Sequence, residues 1–183
     1  HTTDALLGSG AQVSVVGRGR RSEEKYVHPR ARYIQADAAR AHDIRKIFQK
    51  EKPDFVMNFA ALTDIPLAIR EPLRDAESIA VLLNILENAV RFRVKKILHA
   101  SSGFIYGNTK RLPTPETEPP EATNPYIISK TACEQYLKFF HKAHGLPFVA
   151  FRYANVYGSR RMTGAIPYFI RQIMQGSPVE IYG

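Results

Sequence analysis

The stretch KKILHASS, Lys95 to Ser102, is a short apolar run that closes on two serines and lies between two longer stretches with helical spacing. A run of this length bounded by polar residues reads as a strand buried on both faces, because a helix needs a longer periodic segment. Four other runs read the same way: AQVSVVG (Ala11 to Gly17), ARYIQAD (Ala31 to Asp37), FVMNFAA (Phe55 to Ala61) and PFVAFRYA (Pro147 to Ala154). Helical stretches separate them, near His42 to Glu51, Asp75 to Phe92, Asn124 to His144 and Ala165 to Gly176. Strands alternating with helices predict an α/β fold, a doubly wound parallel sheet with helices on both faces. Ligands of such sheets bind outside the carboxyl ends of the strands. That rule alone singles out Gly17 and Arg18, Asp37, Phe59 to Ala61, Ser101 and Ser102, and Tyr153 to Asn155.

Composition narrows the class. The 183 residues suffice for one well-buried core, and 44% hydrophobic with 23% charged residues is ordinary globular usage, so disorder is not expected. No apolar run approaches the roughly 18 residues of a membrane span, nothing at the N-terminus resembles a signal peptide, and the single cysteine, Cys133, suits a reducing cytoplasm. The net charge of +9 invites a nucleic-acid reading. The basic residues are scattered, however, apart from GRGRR (Gly17 to Arg21), and no broad stripe for a duplex forms. Neither nucleic acid nor a membrane is expected as a partner. The six histidines form no ligand set, so no metal is expected.

The chemistry points to NPYIISKTACEQYLKFF, Asn124 to Phe140. Tyr126 and Lys130 are four apart where a helix begins and therefore share a face. An ordinary phenol titrates near about 10, but a neighbouring positive charge favours the phenolate. Tyr126 would then serve as general base and, on reprotonation, as general acid toward a sugar or alcohol hydroxyl. Ser102, at its strand end, could hydrogen-bond the same oxygen. Removing a hydroxyl proton while a carbon-bound hydrogen leaves as hydride requires an acceptor that side chains do not provide, hence a nicotinamide cofactor.

These residues carry a resemblance. KPDFVMNFAA (Lys52 to Ala61), VKKILHASSGFIYG (Val94 to Gly107), NPYIISKTACEQY (Asn124 to Tyr136), FRYANVYG (Phe151 to Gly158) and GAIPYFIRQIMQGSPVEIYG (Gly164 to Gly183) are similar, in order and spacing, to the extended short-chain dehydrogenase/reductase superfamily. The branch is that of NAD-dependent epimerases and dehydratases, typified by UDP-glucose 4-epimerase. The resemblance implies an NAD(P)-binding Rossmann-like domain over residues 1–158 and the start of a substrate-binding portion over 159–183. It implies a catalytic set of Ser102, Tyr126 and Lys130. Cofactor contacts would come from Gly17, Arg18, Asp37, Ala38, Phe59, Ala60, Ala61, Ser78, Ala100, Tyr126, Lys130 and Tyr153. Ser102, Tyr126, Asn155, Ile166 and Tyr182 would meet a nucleotide-sugar substrate, which an epimerase inverts by transient hydride transfer.

Departures from the family pattern sharpen these expectations. The glycine-rich turn and first strand of the family are not found; HTTDALLGSG (His1 to Gly10) matches the helix that follows them, so a partial chain is expected. Gly17, followed by Arg18, Arg20 and Arg21, stands where an acidic residue would hold the ribose of NAD, which leaves NAD and NADP both open. Gly103 and Phe104 stand where dehydratases carry an Asp-Glu pair, which disfavours dehydration. Ser78 replaces a frequent asparagine and Ser159 a frequent proline. A net reductase or dehydrogenase using the same set, or a non-catalytic dinucleotide-binding protein, are the alternatives. The helix over Asp75 to Phe92 is apolar around much of its circumference, which implies either burial beneath other elements or a homodimer through helices 75–92 and 124–144.

Overall fold

A computed structural model describes residues 1–23, 26–109, 111–160 and 164–181. The chain divides into two compact units, His1–Tyr153 and Ala154–Gly183. Unit one holds the strands β1 (Ser14–Gly17), β2 (Arg32–Gln35), β3 (Phe55–Asn58), β4 (Lys96–Ser102) and β5 (Phe148–Tyr153). Its helices are α1 (Thr2–Gly8), α2 (Ala41–Glu51), α3 (Ile65–Arg70), α4 (Pro72–Arg91) and α5 (Pro125–His144).

All strand pairs are parallel, as the alternation of strands and helices predicts. They form two sheets, β1–β2 and β3–β4–β5. In the larger sheet Asn58 lies opposite His99, Ser101 opposite Arg152 and Ser102 opposite Tyr153. Of the residues singled out by the strand-end rule, Ser101, Ser102 and Tyr153 therefore meet at one end of β4 and β5, whereas Gly17, Arg18 and Asp37 lie at the end of the β1–β2 sheet.

The core explains why these elements hold. Ile44 and Phe48 of α2, Val81, Leu82, Ile85, Leu86 and Ala89 of α4, Ile97 of β4, and Cys133, Leu137 and Phe140 of α5 form one buried cluster. Full burial of a leucine such as Leu82 or Leu86 is worth about 2 kcal/mol. Because α2 and α5 both pack against α4, much of the apolar circumference read in the sequence is spent inside unit one.

Local chemistry sets the boundaries. At the start of α5 the Asn124 side chain accepts a hydrogen bond from the Ile127 N–H (3.1 Å), and Pro125 stands at the first helical position, where no N–H is needed. At its end Gly145 takes φ +67°, with His141, Lys142 and His144 in the last turn facing the helix dipole. The expected strand FVMNFAA stops at Asn58, three residues short. There the Asn58 side chain takes the Ala60 N–H (3.0 Å) and turns the backbone away from the ladder. Helix α3 was not anticipated, since six residues are too few for a periodic signal. Its Asp64 cap, accepting from the Leu67 N–H (2.9 Å), and Pro66 are nevertheless visible in the sequence.

Unit two contains α6 (Ala165–Met174), which begins at Gly164 with φ +105° and buries none of its residues. Ile170, Ile173 and Met174 are exposed along it.

Candidate active site

Lys130 is the hinge of the site. It is 5% exposed, its Nζ donates to the carbonyl of Ala100 at 2.7 Å, and it lies 5.8 Å from the centre of the Tyr126 ring. The helical spacing brings the Lys130 ammonium to the Tyr126 ring, and Lys130 ties α5 to Ala100 of β4, two residues before Ser102. Burial pushes the Lys130 ammonium below its ordinary value, and the nearby Cys133 and Asp75 offset part of that shift. Among the described residues only Ala100 accepts from Nζ, which leaves two N–H donors for a ligand.

Ser102 is buried and caps the short turn Gly103–Tyr106, its Oγ accepting from the Phe104 N–H at 3.2 Å. That bond uses one lone pair and leaves the hydroxyl proton to be donated. Asp75 of α4 accepts from Ser129 Oγ (2.5 Å), fastening α4 to α5 beside Lys130. Among the described residues its Oδ1 is buried without a partner.

A histidine lies under the site. Burial, and then the Lys130 charge, lower His99 to about 4, with Glu134 opposing; the ring is neutral at physiological pH. Asn58 Nδ2 donates to His99 Nδ1 (3.3 Å), so the ring proton sits on Nε2. Beyond it Glu134 accepts from Ser101 Oγ (2.5 Å) and pairs with Arg152 through Nε (3.0 Å) and Nη2 (2.7 Å).

Of the cofactor positions implied by the resemblance, Gly17 and Tyr153 end strands, Arg18, Asp37, Ala38 and Phe59 to Ala61 follow strands, Ala100 lies within β4, and Ser78, Tyr126 and Lys130 stand on helices. A cavity of about 380 Å³ is lined by Arg18, Gln35, Ala36, Asp37, Arg40 and Asp43. Its charged and amide groups suit a ribose or phosphate. Gly17 closes β1, and any Cβ there would come within 2.6 Å of the Tyr33 hydroxyl, which donates to the Gly19 carbonyl (2.6 Å). Tyr33 thus occupies the space an acidic side chain would need. Arg18 is mostly exposed and lies 3.8 Å from Glu77. Asp37 accepts from the Ala39 N–H, while the Ala38 carbonyl accepts from Asn84 (3.0 Å). Phe59 is half exposed beyond β3, with the small Ala60 and Ala61 following.

Tyr153 ends β5 beside Ser102, its ring stacked on Phe151 at 5.5 Å. Ser78 is buried on α4, its carbonyl 3.9 Å from Cys133 Sγ. Asn155 and Ile166 belong to unit two, where Asn155 is exposed and Ile166 is the second residue of α6. Tyr182 lies outside the described residues. Sequence reasoning missed Asn58, His99, Glu134 and Arg152. Glu134 carried a signal, since it lies four residues after Lys130 on the face that already held Tyr126 and Lys130.

Among the described residues no group of three or more His, Cys, Asp or Glu side chains could hold a metal ion, and no helix is long and apolar enough to cross a membrane. The profile of the NAD dependent epimerase/dehydratase family matches residues 1–183. The UDP-glucose 4-epimerase of Lacticaseibacillus casei is 37% identical over 87% of this chain and 48% of its own length. The solved structure of UDP-glucose 4-epimerase from Thermotoga maritima with UDP-glucose superposes with a TM-score of 0.90 at 34% identity, over 98% of this chain and 60% of that one. That of Thermus thermophilus UDP-glucose 4-epimerase in complex with NAD gives 0.86 at 30%, over 96% and 59%. The chain spans about half the length of the curated epimerases it matches. With parallel strands alternating with helices, and with residues 1–183 matched throughout, the chain belongs to the NAD dependent epimerase/dehydratase family.

Proposed function

We propose that the protein is a nucleotide-sugar epimerase, similar in activity to UDP-glucose 4-epimerase. The observation that carries the reading is Lys130, buried between the Tyr126 ring and the Ala100 carbonyl next to Ser102. Tyr126 takes the proton of a sugar hydroxyl and later returns it. Ser102 donates its free proton to the same oxygen, and Lys130 places its charge beside both. Bound NAD or NADP supplies the hydride acceptor and donor. The residues that would hold it are Gly17, Arg18, Asp37 and Ala38 at the adenosine end, the backbone of Phe59 to Ala61, and Ala100, Lys130 and Tyr153 at the nicotinamide end, with Ser78 on α4. With the cofactor bound, a keto sugar that rotated before taking its hydride back would be inverted at that carbon. Asn155, Ile166 and Tyr182 would bind the nucleotide portion.

The family also contains dehydratases, but Gly103 and Phe104 after Ser102 offer no acid or base for eliminating water. A homodimer through helices 75–92 and 124–144 belongs to the same reading. Ile128, Tyr136 and Phe139 on α5 are apolar and exposed. A net NADP-dependent reductase is the second reading, carried by Gly17 and Arg18 at the end of β1. The test is full-length protein with UDP-glucose and NAD. Formation of UDP-galactose with no net change in nicotinamide absorbance is the expected result. Stoichiometric change in that absorbance would establish the reductase or dehydrogenase instead.

A further inference from the structure

Arg152 takes part in no step above, yet it joins four parts of unit one: β5, on which it stands, α5, the turn Gly103–Tyr106 and the segment that holds Glu116. It forks onto Glu134 of α5, donates from Nη1 to the Tyr106 hydroxyl (2.8 Å) and to the Glu116 carbonyl (2.8 Å), and lies 4.9 Å from the centre of the Tyr106 ring. Burial alone would raise the Glu134 carboxyl; the hydrogen bonds from Arg152 and Ser101 and the guanidinium charge outweigh it and hold it below the usual carboxylate value. The Glu134 hydrogen bond in turn holds Arg152 above its ordinary value. The pair is therefore charged throughout the physiological range, and its planar fork fixes direction as well as distance.

The pair grips β4 and its turn at both ends. Upstream, Ser101 donates to Glu134. Downstream, Tyr106, the last residue of the turn Gly103–Tyr106, accepts from Arg152. Between them lies Ser102, whose hydroxyl orientation is set by the Phe104 N–H of that same turn. We infer that Arg152, held by Glu134, is a positioning residue that aims the Ser102 hydroxyl at the reacting sugar oxygen through the turn Gly103–Tyr106. The inference rests on the reading of Ser102 given above. It makes Tyr106 and Arg152 determinants of turnover although neither side chain needs to touch substrate.

The discriminating variant is Tyr106→Phe in full-length protein, which keeps the ring under the guanidinium and deletes one acceptor. Turnover of UDP-glucose should fall on the order of tenfold in kcat with KM nearly unchanged, the scale of one lost charge-assisted hydrogen bond. In a Ser102→Ala background the same substitution should cost less than about twofold, because coupled residues are non-additive. The Phe104 amide should exchange with solvent several-fold faster, while the amides of Leu82 and Ile97 keep their protection. Equal losses in both backgrounds, or an unchanged Phe104 amide, would overturn the inference and leave the assigned function standing. Full turnover by Ser102→Ala alone would remove the role of Ser102 and this inference with it. If the parent protein turns over no nucleotide sugar, the proposed function fails, and Phe104 exchange alone then upholds or overturns the coupling.

Discussion

The two sheets of unit one have the same strand chemistry and differ in burial mainly at one strand, β4. No residue of β1 or β2 is buried, whereas Ile97, His99, Ser101 and Ser102 of β4 all are. The β3–β4–β5 sheet carries Ser102, Tyr153 and the anchor for Lys130, backed by the cluster of α2, α4 and α5. The β1–β2 sheet carries Gly17 and Arg18 and the open cavity around Asp37. The groups assigned to the reaction stand on the tightly packed half, where rotamers are held by neighbours. Those assigned to the far end of the cofactor stand on the half where side chains are freer to adjust. Chemistry demands fixed geometry within fractions of an ångström, while an adenosine tolerates more.

The comparison can be broken most severely at Tyr126. Tyr126→Phe leaves the Asn124 cap and the α5 packing in place and should lower kcat about a thousandfold, as expected for loss of a general acid–base group. Steady-state kinetics check it, and turnover within twofold of the parent would empty the site of its chemistry. Stability tests the packing contrast itself. Leu82→Ala, in the centre of the cluster, should cost about 3 kcal/mol in urea unfolding, against less than about 1 kcal/mol for Val15→Ala in β1. Equal costs would mean that the two halves are not distinct.

Acid should expose the buried polar groups of the packed half. Because His99 takes up its proton near 6.5 when unfolded and at about 4 when folded, its contribution is complete above pH 6.5. It is lost as pH falls toward 4, by roughly 3 kcal/mol. Glu134, held below 4.5, adds a further loss as pH falls from 4.5 through its folded value. Urea midpoints measured across this range should decline, and His99→Gln should flatten the part between pH 6.5 and 4. The smallest effect lies in the open half. Gly17→Asp combined with Tyr33→Phe, which relieves the contact with the Tyr33 hydroxyl, should shift the ratio of NAD to NADP affinity several-fold toward NAD. An unchanged ratio would mean that this strand end does not face the ribose.

The parallel strands, the long helices and the approach of Lys130 to Tyr126 were legible because each rests on spacing: apolar runs of strand length, and two residues one helical turn apart. What the sequence hid depends on partners far along the chain. Arg152 and Glu134 are eighteen residues apart and look like ordinary surface charges until β5 and α5 pack together. His99 reads as one more strand residue, and its environment comes from Lys130, Glu134 and Asn58. The end of β3 was misplaced for the opposite reason, because the capping bond from Ala60 to Asn58 is a local preference that apolar alternation masks. The contact that a Cβ at residue 17 would make with Tyr33 is visible only once the register pairs Val15 with Tyr33 and Gly17 with Gln35.

The central claim is that hydrogen leaves and returns to one sugar carbon as hydride while Tyr126 handles only the hydroxyl proton. UDP-glucose carrying deuterium at the inverted carbon, incubated with full-length protein in ordinary water, tests it directly. The account predicts that the epimerised product keeps its deuterium on that carbon. Loss of the label to solvent would show that the carbon is deprotonated instead, and would contradict the assignment of Ser102, Tyr126 and Lys130.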